Sequence, residues 1–173
     1  MKVVTNKVRA AFVNIFEKKL NQLSGKEEFS MCILIPKTDS PTIQRIQDSI
    51  KECIVGKWGS KPPTNLRTPL RDGDDTQENK GEDFKGHFFM NLKSSIRPGI
   101  VDRNLQAVID PEEFTSGDYC RVSINPYAYD NKANKGVAFG LSNVQIVGKG
   151  ASMTGRIKPE AEFTRIEDDT LPF

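Results

Sequence analysis

Cysteine, histidine and tryptophan are scarce here: three, one and one residues respectively in a chain of 173. Cys32, Cys53 and Cys120 lie far apart and the one histidine is His87. No zinc-like ligand spacing can be drawn from them, and an odd cysteine count argues against a disulfide framework. They read as small buried hydrophobes in a reducing compartment. Long apolar runs are missing as well. No stretch approaches the roughly 20 residues of a membrane helix, and Met1-Lys2-Val3-Val4-Thr5 has no apolar signal core, so the expectation is a protein without membrane contact that stays in the cytoplasm. Neither a P-loop, a Gly-x-Ser-x-Gly elbow nor a Cys–His pair is present, and no internal repeat is found. The chain is therefore not expected to be an enzyme, and no cofactor is called for.

What is present fits one well-packed domain with appended loops and a tail: 36% hydrophobic and 28% charged residues. The net charge of +2 hides a division. Residues 160–173 hold five acids (Glu160, Glu162, Glu167, Asp168, Asp169) and one base, Arg165, which leaves 24 of the 25 bases and 18 of the 23 acids in the body. A modestly basic body with an acidic end is a pattern of nucleic-acid binders that carry an interaction tail.

Apolar spacing predicts a mainly β chain with one helix. Lys7 to Phe16 reads as a long strand, apolar on both sides for part of its length, as in strands that curl into barrels. Phe29, Met31, Ile33 and Ile35 alternate through a second strand that stops at Pro36. Ser40 is placed to cap a helix with Pro41 at its first position, and Ile43, Ile46, Ile50 and Cys53 or Ile54 form one apolar stripe before Gly56 ends it. Residues 56–86 read as a long polar loop. Strand character returns at His87–Leu92 and, weakly, at Ile100–Val101 and Ala107–Ile109. A short helical turn follows Asp110, with Asp110 capping it and Glu113 closing a capping box. Tyr119–Tyr129 and Val137–Val147 make a long hairpin across Asp130-Asn131-Lys132.

That hairpin is the most informative local pattern. Successive strand residues face opposite ways, so Cys120, Val122 and Ile124 share a core face. Tyr119, Arg121, Ser123, Asn125, Tyr127 and Tyr129 share the other. Aromatic residues alternating with a base on an open face suit single-stranded nucleic acid: bases stack on rings while cations follow the phosphates. The alternative is that these tyrosines cap the core with wet hydroxyls, and the pattern alone leaves both open. Trp58, between Lys57 and Lys61 in a polar loop, is a further candidate for stacking. Arg71, Lys85, Lys93, Arg97 and Arg103 are candidates for a phosphate track. At the other end, Asp168 and Asp169 precede Leu171-Pro172-Phe173, an apolar tip carrying the carboxylate. It suits a partner pocket, while the acids can also mimic phosphates in the body's own groove. A rival enzyme reading puts Mg²⁺ on Asp72, Asp74 and Asp75 for phosphodiester cleavage, although their spacing around Gly73 suggests a tight turn.

Several ordered segments carry a resemblance: Pro69-Leu70-Arg71-Asp72-Gly73-Asp74, Phe89-x-Asn91, Pro98 to Val101-Asp102, Gly117-x-x-x-Arg121 to Tyr127, and Gly136-Val137-Ala138-x-Gly140-Leu141-x-Asn143-Val144-Gln145. Together they resemble a phage family first catalogued as a domain of unknown function. That family is understood as OB-fold single-stranded DNA-binding proteins of replication modules. Separately, the acidic end with Pro172-Phe173 resembles the tip of bacterial single-stranded DNA-binding proteins, with Thr170-Leu171 interrupting the run here. The expectation is an OB-type antiparallel barrel with one amphipathic helix over residues 1–149, and a linker and disordered acidic C-terminal tail over 150–173. The resemblance implies binding of single-stranded DNA during phage replication or recombination in the bacterial host cytoplasm. The tail would recruit replication or recombination proteins, and self-association is compatible with that role. A protein-interaction module that binds no nucleic acid is the main alternative, and RNA binding a closer one.

Overall fold

The structure, a computed structural model, describes residues 2–22, 25–75, 81–153 and 162–166. Its strands are β1 (Val3–Val4), β2 (Val8–Asn21), β3 (Lys26–Pro36), β4 (Arg71–Asp72), β5 (His87–Ser94), β6 (Gly99–Val101), β7 (Tyr119–Asp130) and β8 (Lys135–Gly148). The helix α1 spans Ser40–Trp58, and short 3-10 turns sit at Glu82–Phe84 and Pro111–Glu113. Five strands close a ring: β2 on β3, β3 on β5, β5 on β8, β8 on β7 and β7 back on β2. These pairings are antiparallel except β5 on β8, which is parallel at Leu92–Phe139 and Lys93–Gly140. β1 and β6 extend the ring's edges and β4 adds to β5.

The interior is filled by alternate residues, among them Val8, Ala10, Met31, Ile33, Leu92 and Phe139. Each of these side chains larger than alanine contributes about 1.5–3 kcal/mol by leaving water. Cys120, Val122 and Ile124 point inward as their alternation predicts. On β8 the inward set switches phase from Val137, Phe139 and Leu141 to Val144. The cause is an extra residue at Ser142, because Ser123 faces Asn143 while Ile124 faces Leu141. β3 is buried on both faces. Cys32 and Leu34 join Ala11, Phe84 and Phe89 in a second cluster on the outer side, with Met153 packed against it.

Four local expectations are corrected. The cap of α1 is Asp39, whose carboxylate accepts from the Thr42 amide at 3.3 Å, and Ser40 is the first helical residue. The helix runs past Gly56 to Trp58 and stops at Gly59, where φ is +66°; Lys57 and Trp58 thus belong to its last turn. β2 continues to Asn21 instead of ending near Phe16. Ala107–Ile109 makes only a bridge, Ala107 to Val101. Asp110 does cap its turn, accepting from the Glu112 amide at 2.9 Å.

The barrel's hydrogen bonds continue beyond residue 149. Asp118, 2% exposed, accepts from Lys149 Nζ at 2.9 Å, the Gly150 amide at 3.2 Å and the Thr115 amide at 3.0 Å. Arg9 Nη2 donates to the Ala151 carbonyl at 2.7 Å, and the Met153 amide to Ser116 at 3.1 Å. Gly117 permits the approach, since a Cβ there would collide with the Ala151 carbonyl.

A second tether links the end of β3 to the turn after β4. Lys37 Nζ lies 2.7 Å from Asp72 and 2.6 Å from Asp74. Asp72 also accepts from the Asp74 amide at 2.8 Å and Asp74 from the Gly86 amide at 3.0 Å. The hydrogen bonds from Lys37 hold both carboxyls below their ordinary range and raise the Lys37 ammonium above its own. The tight turn around Gly73 is as its spacing suggests.

Asp118→Ala is expected to lower unfolding free energy by about 1–3 kcal/mol, because a buried charged acceptor of three hydrogen bonds is removed; denaturant titration measures it, and a loss under about 0.5 kcal/mol would contradict the tether. Carboxyls depressed in the folded state contribute stability that is present at neutral pH and lost as pH falls through their folded values. NMR titration should therefore place Asp72 and Asp74 below the ordinary aspartate range, and Lys37→Met should return both toward it. Unmoved midpoints would refute the clamp.

Candidate nucleic-acid interface

The outer face of the ring carries a groove that crosses its strands. Ser30 of β3 faces Lys93 of β5, Lys93 faces Gly140 of β8, and Gly140 faces Asn125 of β7. Small side chains in that row lower the floor. On one side Phe12, Lys19, Leu20, Ser30, Asn91 and Lys93 line a hollow of 270 Å³. On the other, Lys93, Asn125, Tyr127, Gly140 and Ser142 line one of 350 Å³. Glu28 and Lys93 belong to both, so the two hollows adjoin. Four inter-strand steps from β2 to β7 amount to a path of about 19 Å along the curved barrel wall.

Two rings rise from this floor, Phe12 at 62% and Tyr127 at 47% exposure. Burial, with Glu28 and Tyr129 nearby, holds the Tyr127 hydroxyl above the usual tyrosine value, so the ring stays neutral at physiological pH. Lys19 and Lys93 bring positive charge. Glu28 opposes them, its carboxylate taking an Asn21 hydrogen bond at 3.1 Å. In OB barrels the face of the second and third strands, with the first and last hairpin loops, receives oligonucleotides. Here that face belongs to β3 and β5.

The residues singled out from sequence are dispersed by the fold. Tyr127 lines the groove, and Tyr129 lies near it, half-buried, its hydroxyl against the Gly136 backbone beside Arg67. Tyr119 shares their strand face but sits eight residues away, about 26 Å along β7. It stacks instead under Lys7, whose ammonium lies 5.1 Å from the ring centre. Arg121 donates to the Thr5 carbonyl at 3.0 Å, on the β1 side. Lys57 and Trp58 end the helix, and Lys61 follows it, exposed. Arg71 pairs opposite Phe89 on β4, Lys85 pairs with Glu82 at 2.8 Å, and Arg97 is exposed between β5 and β6. Arg103 donates to the Val147 carbonyl at 3.4 Å. Asp168, Asp169, Leu171, Pro172 and Phe173 lie outside the described residues.

Phe12, Lys19, Leu20 and Asn91 were not legible as site residues. Phe12 sits within a run of apolar residues that reads as buried strand, and Lys19 and Leu20 lie past the expected end of that strand.

The acidic cluster is not arranged as a cation site. The Lys37 ammonium occupies the space between Asp72 and Asp74. His87 Nδ1 is 2.7 Å from the Lys85 carbonyl, a local structural contact. All three cysteines are free, and burial pushes the Cys120 thiol up to about 12, which keeps it unreactive.

Comparison with known proteins agrees with the geometry. The family model described as Enterobacter phage Enc34, ssDNA-binding protein, matches residues 1–171. Putative protein p50 of Acyrthosiphon pisum secondary endosymbiont phage 1 is 32% identical over 166 residues, covering 90% of this chain and 88% of the relative. Among solved structures, the single-stranded DNA-binding protein from bacteriophage Enc34, in complex with ssDNA, superposes with a TM-score of 0.74 at 19% identity, over 88% of this chain and 89% of that one. The single-stranded DNA-binding protein gp2.5 of bacteriophage T7 gives 0.63 at 15% identity, over 91% and 97%. With its five-stranded barrel, the helix α1 and a match over nearly its whole length, the chain belongs to the Enc34 phage ssDNA-binding protein family.

Proposed function

We propose that the outer groove binds single-stranded DNA with little sequence preference and shields exposed strands during phage replication or recombination in the host cell. The observation that carries this is the pair of adjoining hollows, one holding Phe12 and the other Tyr127, with Lys93 lining both. Its floor of Ser30, Gly140 and Asn125 presents no ordered donor–acceptor code for one base, while rings accept any base face. A single strand can lay unstacked bases on Phe12 and Tyr127, whereas a duplex keeps its bases paired and stacked away from both rings. Lys19 and Lys93 neutralise phosphates, and Glu28 lies where a phosphate is disfavoured. The acidic tail, with Asp168, Asp169, Leu171, Pro172 and Phe173, serves to recruit replication or recombination proteins in this reading.

Fluorescence anisotropy of a labelled oligo-dT, at low and high salt and against a matched duplex, tests the proposal. Binding to the single strand should be tight and salt-sensitive, with a slope of about −0.7 per phosphate contact, and duplex binding weak. Absence of single-strand binding at low salt, repeated after removal of residues 154–173, would end the DNA reading and favour a protein-interaction module. Within the same titration, Tyr127→Ala should weaken binding by about 1–3 kcal/mol. Lys93→Ala should reduce the salt slope by about 0.7, and Glu28→Gln should strengthen binding. Deleting Phe173 should leave DNA affinity unchanged.

A further inference from the structure

Phe12 is in a conformation that folding alone does not favour. Its φ is +49°, in the left-handed region, which a bulky side chain enters only under strain and which glycine takes freely. It falls within the register shift of β2 between Ala11 and Asn14, the kind of bulge position where glycine is usual. The flanking residues fix it there. Ala11 is buried in the outer cluster, while Val13 packs against the main core and its amide donates to Ser116 Oγ at 3.1 Å. With both neighbours anchored, the chain has to turn Phe12 outward, and the ring is 62% exposed.

The ring is also supported from below. Its centroid lies 6.5 Å from that of Phe84, which meets Phe89 edge-on at 5.3 Å. Phe84 and Phe89 are both buried. One side of Phe12 therefore rests on a fixed aromatic base, and the rest faces the hollow lined by Lys19, Ser30, Asn91 and Lys93. Backbone strain and exposed apolar surface both work against this residue in folding, yet both follow if the ring must be presented to a ligand.

We infer that Phe12 is a base-stacking platform at the β2 end of the groove, held up by a strained bulge that stability alone would assign to glycine. This rests on the groove being the single-strand site, and it adds a contact on a different strand from Tyr127. A base stacked on Phe12 and another on Tyr127 hold the DNA across the strands, with Lys93 between them.

The test is Phe12→Gly, which removes the ring and relieves the backbone at once. Thermal stability should be unchanged or higher. Affinity for oligo-dT should fall roughly 5- to 150-fold, the equivalent of one stacked base, with the salt slope unchanged because no charge is lost. Phe12→Trp should keep its affinity and show tryptophan quenching on oligo-dT beyond that of Trp58 in the unsubstituted protein. If Phe12→Gly binds as tightly as the unsubstituted protein while Tyr127→Ala is weakened, the Phe12 inference falls and the groove reading stands. If neither substitution alters an otherwise tight affinity, the groove is the wrong face and both fall. A marked drop in the stability of Phe12→Gly would make the ring a packing element and overturn the inference.

Discussion

A ring of five strands can close only if its long strands bend, and in this chain the bends are taken at register shifts. β2 slips between Ala11 and Asn14 and again before Lys19, and β8 carries an extra residue at Ser142. The first slip of β2 and the slip of β8 each increase local twist and leave one residue more than the partner strand can pair. Those residues cannot be absorbed by the core, which is already filled in phase on either side of the slip. They are turned outward, and the outward side of both slips is the same groove: Phe12 at one end, Ser142 at the other. Closure of the barrel and shaping of the interface are one event.

The second consequence of closure is electrostatic. A parallel contact between β5 and β8 brings Lys93 beside Gly140. With no side chain on Gly140, the lysine lies over a shallow floor and is not walled in. Several of the body's other cations are engaged locally: Lys37 by Asp72 and Asp74, Arg9 by Asp83 at 3.0 Å, Lys149 by Asp118. Such pairs tether loops to the barrel but cancel their own charge at a distance. Net charge is therefore a poor guide to where phosphates go. In the proposed reading, position on the open face decides it, and Lys93 has that position.

How much of this could be read from the residues alone follows the same logic. Strict alternation is legible, so Cys120, Val122 and Ile124 were assigned inward and the hairpin was placed nearly to its ends. The stripe Ile43–Ile46–Ile50 gave the helix for the same reason. Position on a common face says nothing about distance along a strand. Tyr119, Arg121 and Tyr127 share a side of β7 yet reach different surroundings, and only Tyr127 meets β5 and β8 where they pair. A bulge is invisible to a period-two pattern, because it consists in breaking that pattern; Phe12 in Ala-Ala-Phe-Val reads as one more buried strand residue. Trp58 was drawn into a loop because Gly56 looked like a stop, but the helix continued until a left-handed residue was available at Gly59.

The outer cluster ties these features to the chain that follows the barrel. Phe84 supports Phe12, Phe84 belongs with Cys32, Leu34 and Phe89, and Met153 covers that group. Met153 is held in turn by Ser116, whose hydroxyl receives the Val13 amide next to the bulge. The segment from Lys149 to Met153 thus shares its foundation with the groove. Shortening the chain to residue 149 would remove Ala151 from Arg9 and Met153 from Phe84's cluster, loosening the base beneath Phe12. Ending it after Met153 keeps that base intact. A comparison of long and short chains therefore reports on the tail itself only when the cut falls beyond Met153. A cut at the end of β8 changes the binding face as well.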